Sequence, residues 1–217
     1  MFLQKIFLKA HEVDGRLHDL GLDRTMLINV VRRGQYAHAS CTANDPPLFA
    51  GFTAWAQMVR ASREYLLPKG WSRSNENNYC LVIDPAGEVA IAIATGDEGT
   101  GQPHANPTTK SSKGPRTVDA VTANQVQLEL PLNCPPIPKR LVEQTEKRMT
   151  WVLLVHRGAD GVRSELSLPF AINEEGFIDA WRERIVLGVV PIDPDLEGFK
   201  PSPNDQPDIA IDIKRRA

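Results

Sequence analysis

The sequence contains no complete catalytic or metal-binding motif. Its three cysteines, Cys41, Cys80 and Cys134, are odd in number and widely spaced. That pattern suggests neither a disulfide framework nor a paired-cysteine zinc site, and it fits a reducing compartment best. The histidines His11, His18, His38, His104 and His156 show no metal-ligand spacing. No run approaches the ~20 apolar residues of a membrane span. At the amino terminus, Met1-Phe2-Leu3 and Ile6-Phe7-Leu8 are separated by Gln4 and Lys5 and followed by Lys9, so no signal-peptide core forms. The expectation is a soluble, cytoplasmic protein with no membrane partner and no cofactor. Aromatic residues are only 6% of the chain, and none falls in its long polar loop, so nothing there would stack on single-stranded bases.

What the chain does have is ordinary globular balance. Hydrophobic residues make up 41% and charged residues 24% of 217, enough to bury a core in one domain. A net charge of −2 argues against a surface wholly devoted to nucleic acid. Charge is nevertheless segregated: residues 101–150 hold seven Lys+Arg against four Asp+Glu, and 151–200 hold five against nine.

Periodicity sorts the chain into helices followed by strands. Leu3, Phe7, Ala10, Val13, Leu17 and Leu20 recur three or four apart and predict an amphipathic helix, bent at Asp14-Gly15. Asp23 is a candidate N-cap for a second helix through Met26 to Val31, with a strand as the alternative for 26–31. Asp45 and Pro46 suit the start of a third, with Leu48, Phe52, Trp55, Val59 and Leu66 on one side and Pro68-Lys69-Gly70 as its stop.

Extended patterning follows. Residues 79–83 and 88–94, joined by Asp84-Pro85-Ala86-Gly87, predict a β-hairpin. Ala90, Ala92 and Ala94 share one face of its second strand, which suits a closely laid helix. Residues 118–130 fit either a short helix or a strand, and Pro131, Pro135, Pro136 and Pro138 make a stiff connector. A second hairpin spans 151–156 and 162–168, with Arg163, Glu165 and Ser167 on a wet face. Asn173-Glu174-Glu175 reads as a helix start with Phe177, Ile178, Trp181 and Ile185 buried, and 185–190 as a continuing strand. The whole predicts an α+β fold: an N-terminal helical layer packed on an antiparallel sheet built from two β-hairpins. That domain covers 1–190, with a Pro/Asp-rich arm over 191–217 in which Ile209, Ile211 and Ile213 could dock as an edge strand.

The candidate site is the polar loop of residues 95–117, set directly after an apolar strand and expected to project from the sheet as a binding loop or lid. Gly96-Asp97-Glu98-Gly99-Thr100-Gly101 matches the first half of a phosphate-cradling P-loop. Gln102-Pro103 stands where Lys and Ser or Thr are required, so nucleotide hydrolysis is not supported. Thr109, Lys110, Ser112, Lys113 and Arg116 supply cations and hydroxyls without bulk, fit to contact an anionic partner, nucleic acid or an acidic protein surface. Asp97, Glu98 and His104 complete the ligand-binding set, and as an alternative they would serve a divalent-metal-dependent hydrolase acting on phosphate esters. A third alternative is an interaction subunit that pairs an exposed strand edge with another chain. No residue is assigned a catalytic or metal-ligating role, and the oligomeric state is left open.

Asn77-Asn78-Tyr79-Cys80-Leu81-Val82-Ile83, the 95–117 loop, and Leu166-Ser167-Leu168-Pro169 through Trp181-Arg182-Glu183-Arg184-Ile185 resemble uncharacterised bacterial proteins carried on phage-like or integrative elements. The resemblance implies a bacterial accessory role and carries no activity with it.

Overall fold

The computed structural model describes residues 4–129 and 148–192. Seven strands form a single sheet: β1 (Lys5–Phe7), β2 (Ser72–Ser74), β3 (Leu81–Ile83), β4 (Val89–Thr95), β5 (Met149–Gly158), β6 (Gly161–Ile172) and β7 (Ile178–Val190). Their spatial order is β1-β7-β6-β5-β4-β3-β2. Among the described residues four α-helices accompany them: α1 (Ala10–Asp19), α2 (Arg24–Ala39), α3 (Phe49–Leu66) and α4 (Pro115–Glu129).

Helices and strands are mixed as expected, but the sheet is not purely antiparallel. The two predicted hairpins, β3/β4 and β5/β6, lie side by side with β4 and β5 parallel from Val89↔Met149 to Thr95↔Val155. β1 is also parallel to β7. A parallel join requires a crossover, and the described part of the chain between β4 and β5, residues 96–129, lays the polar loop and α4 across the sheet. Helices therefore cover both faces rather than forming one N-terminal layer.

Strand alternation shows which face is which. Trp151, Leu153 and Val155 of β5 share a core with Val13, Leu17, Leu27, Val30, Met58 and Leu66 from α1, α2 and α3. Val152 and Leu154, pointing the other way, pack with Val121 of α4 and with Ile178 and Trp181 of β7. On β4, Ile91 joins the first core, while Ala90 and Ala92 lie against Leu81, Ile83 and Tyr79 on the α4 side.

Several boundaries differ from the expectation, each for a local reason. Residues 5–7 form a strand rather than the first turn of a helix, and α1 starts only at Ala10. The Asp23 cap is present, its carboxylate accepting from Met26 N at 2.7 Å, and 26–31 is helical. Asp45 instead closes a turn by accepting from Thr42 N at 2.7 Å, so α3 begins at Phe49. Leu48 and Phe52 are consequently 86% and 62% exposed, while Val59 and Leu66 are buried. Residues 115–129 resolve as helix.

The helix expected after Asn173 is β7. Asn173 Oδ1 accepts from Glu175 N and Phe177 N and closes a tight turn. Register shifts between β6 and β7 then leave Ile178, Trp181 and Ile185 buried at three- and four-residue spacing, which imitates a helical stripe. The proline connector, the Ile209 to Ile213 strand and all but the first two residues of the 191–217 arm lie outside the described residues. Among the described residues no helix is long and apolar enough to cross a membrane.

Candidate functional site

The loop after β4 is laced to the sheet by its own backbone. Gly96 N donates to Val155 O at 2.9 Å, Asp97 N to Thr108 O at 3.0 Å, and Lys110 N to Thr95 O at 2.9 Å, around an antiparallel bridge between Gly96 and Thr109. Thr109, 1% exposed, continues this ladder onto β7: its N–H donates to Ile178 O, and its hydroxyl accepts from Ile178 N, both at 3.2 Å. Asp97 turns inward as well. One carboxylate oxygen accepts from Gly99 N at 3.0 Å and the other from Thr108 Oγ1 at 2.9 Å, an Asx-type staple across the turn. Gly96 is required here because a Cβ would collide with Thr100 Oγ1 and lie 2.7 Å from Leu154 Cγ.

Beneath the loop is a charged pair, one member of which, Glu165, the alternation of β6 places on a wet face. Glu165 on β6 and Arg184 on β7 are both 0% exposed. Glu165 Oε1 accepts from Ser167 Oγ at 2.7 Å and Arg184 Nε at 3.0 Å, and Oε2 accepts from Arg184 Nη2 at 2.6 Å and Gly101 N at 2.9 Å. The remaining guanidinium donors reach the loop, Nη1 to Ala105 O at 2.5 Å and Nη2 to Gln102 O at 3.1 Å. Trp181 Nε1 holds Pro107 O at 2.7 Å, and Asn106 Nδ2 donates to Asp179 O at 2.6 Å. Burying two charges is tolerable only when their hydrogen-bonding groups are satisfied, and the loop carbonyls supply the acceptors that complete the set. The expected projecting loop is thus, over 96–109, part of the α4-side layer. The wet face predicted for β6 is covered by it at Glu165 and Ser167.

The next stretch faces outward. Lys110, Ser111, Ser112 and Arg116 are exposed, and Lys113 is half-buried. Lys113 N donates to Gly176 O at 2.8 Å, tying the strip to the β6–β7 turn. Burial holds the Lys113 ammonium below its usual range, so a nearby anion would favour its charged form. Glu98 and His104 are exposed on the loop surface, while both oxygens of Asp97 are taken up within it. Among the described residues no group of three or more His, Cys, Asp or Glu side chains is gathered as a ligand set.

At the end of the strip, α4 opens on Pro115 with Gly114 O accepting from Thr117 N at 3.0 Å. Its first turn faces the short turn Glu76–Asn78 across a groove of about 420 Å³, lined by Asn77, Asn78, Tyr79, Arg116, Thr117 and Asp119 among others. With the Asn77 amide oxygen turned toward it, Arg116 donates from Nε at 2.7 Å and from a second guanidinium nitrogen. Asn77 and Asn78 both have left-handed backbones, φ 49° and 62°, a conformation that Asn tolerates better than most residues and that concentrates at ligand sites.

Burial pushes the Tyr79 phenol up to about 12, partly offset by its hydrogen bond with Thr117. An unfolded tyrosine ionises near pH ~10. Tyr79 therefore contributes stability that is fully present below that pH and is lost as pH rises toward 12. Spectrophotometric titration should show one of the three tyrosines lagging to about pH 12; joint ionisation of all three at lower pH would contradict its burial.

Asn77, Asn78, Tyr79, Glu165 and Arg184 were not among the residues expected at the site. The only signal for the last two was an acid and a base on strands that become neighbours, visible once β6 and β7 are paired. No protein-family model matches this chain, and neither a curated protein nor a solved structure matches it.

Proposed function

We propose that the protein is a non-enzymatic binding protein that engages an acidic protein surface through Lys110, Lys113 and Arg116. The carrying observation is that these cations sit on a strip whose backbone is fixed at both ends, by Lys110 N on Thr95 O and by Lys113 N on Gly176 O, with Arg116 held by Asn77. A preformed strip loses little conformational entropy on binding, which favours recognition by a short loop. The absence of aromatics in the strip and the overall charge of −2 favour an acidic protein over nucleic acid. The hydrolase alternative through Asp97, Glu98 and His104 gains no support from Asp97, which is spent on Gly99 and Thr108. A bacterial accessory setting belongs to the same proposal.

The test is a salt-titrated anisotropy measurement with a fluorescein-labelled deca-glutamate peptide, using a short DNA duplex as the comparison. The wild type should bind the peptide more tightly than Lys110→Ala/Lys113→Ala/Arg116→Ala by about tenfold at low salt, the gap closing toward ~1 M salt. Equal affinity of the two proteins for the peptide would overturn the reading, and preference for the duplex would overturn the choice of an acidic protein.

A further inference from the structure

At the other side of the same sheet edge lies a second cationic surface that the loop does not touch. Among the described residues the sheet ends at β2, which pairs with β3 alone. Arg73 is opposite Val82, and Val82 belongs to the core shared with α1, α2 and α3, so Arg73 points toward α3. There it borders a groove of about 500 Å³, with Ala56, Val59 and Leu67 among its apolar lining and Arg60 and Arg63 on its rim.

The charges on this groove do not cancel. Its one acid, Glu64, is already shared between Arg60 Nε at 2.7 Å and Arg33. Arg63 Nη2 donates to Ser74 O at 3.2 Å and Asn75 Oδ1 at 2.7 Å, while its Nε is buried without a partner. Arg73 is exposed and makes no ion pair or side-chain hydrogen bond among the described residues. An apolar floor rimmed by surplus guanidinium groups, beside the last strand of a sheet, combines three elements of strand-addition recognition: edge backbone, a pocket for alternate side chains, and a charge preference.

We propose that the β2 edge accepts an extended acidic segment of a partner protein as an eighth strand, with a carboxylate set against Arg73 and the next same-face apolar side chain over Val59 and Leu67. Residues directly opposite in a strand pair share a face and lie close enough for their charges to interact, so the position facing Arg73 selects Glu or Asp. The same rule disfavours edge-to-edge pairing of two copies, which would bring Arg73 against its own counterpart. This inference stands apart from the 110–116 strip: none of its cations lines this groove, and Arg116 lines a different one.

The probe is a fluorescein-labelled decapeptide alternating Thr with, in turn, Glu and Val, plus a version with Lys for Glu. Wild-type protein should bind the Glu peptide, and Arg73→Glu should weaken that binding by about tenfold or more while gaining affinity for the Lys peptide. The amides of residues 72–75 that face away from β3, alternate ones along the strand, should become protected from hydrogen exchange in the complex. The Lys110/Lys113/Arg116 triple alanine variant should bind as wild type, which separates failure here from failure of the first site. Undiminished binding of the Glu peptide to Arg73→Glu, binding without protection of 72–75, or a solution dimer abolished by Arg73→Glu would overturn the proposal.

Discussion

Arg184→Ala is expected to lower folding stability by about 3–5 kcal/mol and to release residues 101–109 from the sheet. Removing the guanidinium leaves the Glu165 carboxylate buried with only Ser167 and Gly101 as donors, strips Ala105 O of its side-chain donor, and leaves Gln102 O with Ala105 N alone at 3.3 Å. Urea unfolding measures the loss, and limited proteolysis at 101–109 measures the release. The double variant Glu165→Leu/Arg184→Met should recover part of the stability, since an apolar pair carries no desolvation penalty. It should stay sensitive to protease, because methionine cannot hold the loop carbonyls. If Arg184→Ala melted like the wild type and resisted cleavage, the pair would not be the anchor.

Asn124→Ala should cost about 2–4 kcal/mol without changing the urea m-value. Asn124 is 0% exposed on α4, where its amide donates to Thr150 O at 2.9 Å and Pro169 O at 3.2 Å and accepts from Thr150 N at 2.8 Å. One side chain thus pins the crossover helix to β5 and β6, satisfying backbone groups at the start of β5 that the sheet ladder leaves free. Alanine leaves those groups buried without partners, which is costlier than the loss of ordinary hydrogen bonds. A change below about 1 kcal/mol would mean that water or backbone movement replaces the clamp.

Local chemistry was legible in the sequence where the deciding partner lies a few residues away. Asp23 caps α2 through Met26, and Asp84 shapes the β3–β4 turn by accepting from Val89 N at 2.8 Å. The first hairpin and the alanine stripe followed from alternation alone. Two errors were also local: Asp45 had two competing uses, and the β6–β7 register shifts gave a strand the spacing of a helix. The parallel β4–β5 join was not legible, because nothing within either strand reports which one it will lie beside across a long crossover.

The loop was misread for the same reason. Its glycines, threonines and lysines resemble those of a free binding loop, yet the groups that fasten it are distant in sequence. Gly101 meets Glu165 at a separation of 64 residues, and Gln102 meets Arg184 at 82. Of the predicted contact residues, Thr109 and Asp97 serve this fastening, while Lys110, Ser112, Lys113 and Arg116 are left on the far end of the fixed strip.

The loop is fastened to the sheet over 96–109 and displays its cations only beyond that point. Hydrogen exchange of the wild-type protein, resolved at Gly96, Asp97, Gly101, Thr109 and Lys110, reads this directly. Protection of all five amides to the level of the β5 and β6 core strands is the predicted result. Exchange of Asp97, Gly101 and Thr109 at the rate of an open loop, while β5 and β6 stay protected, would contradict it.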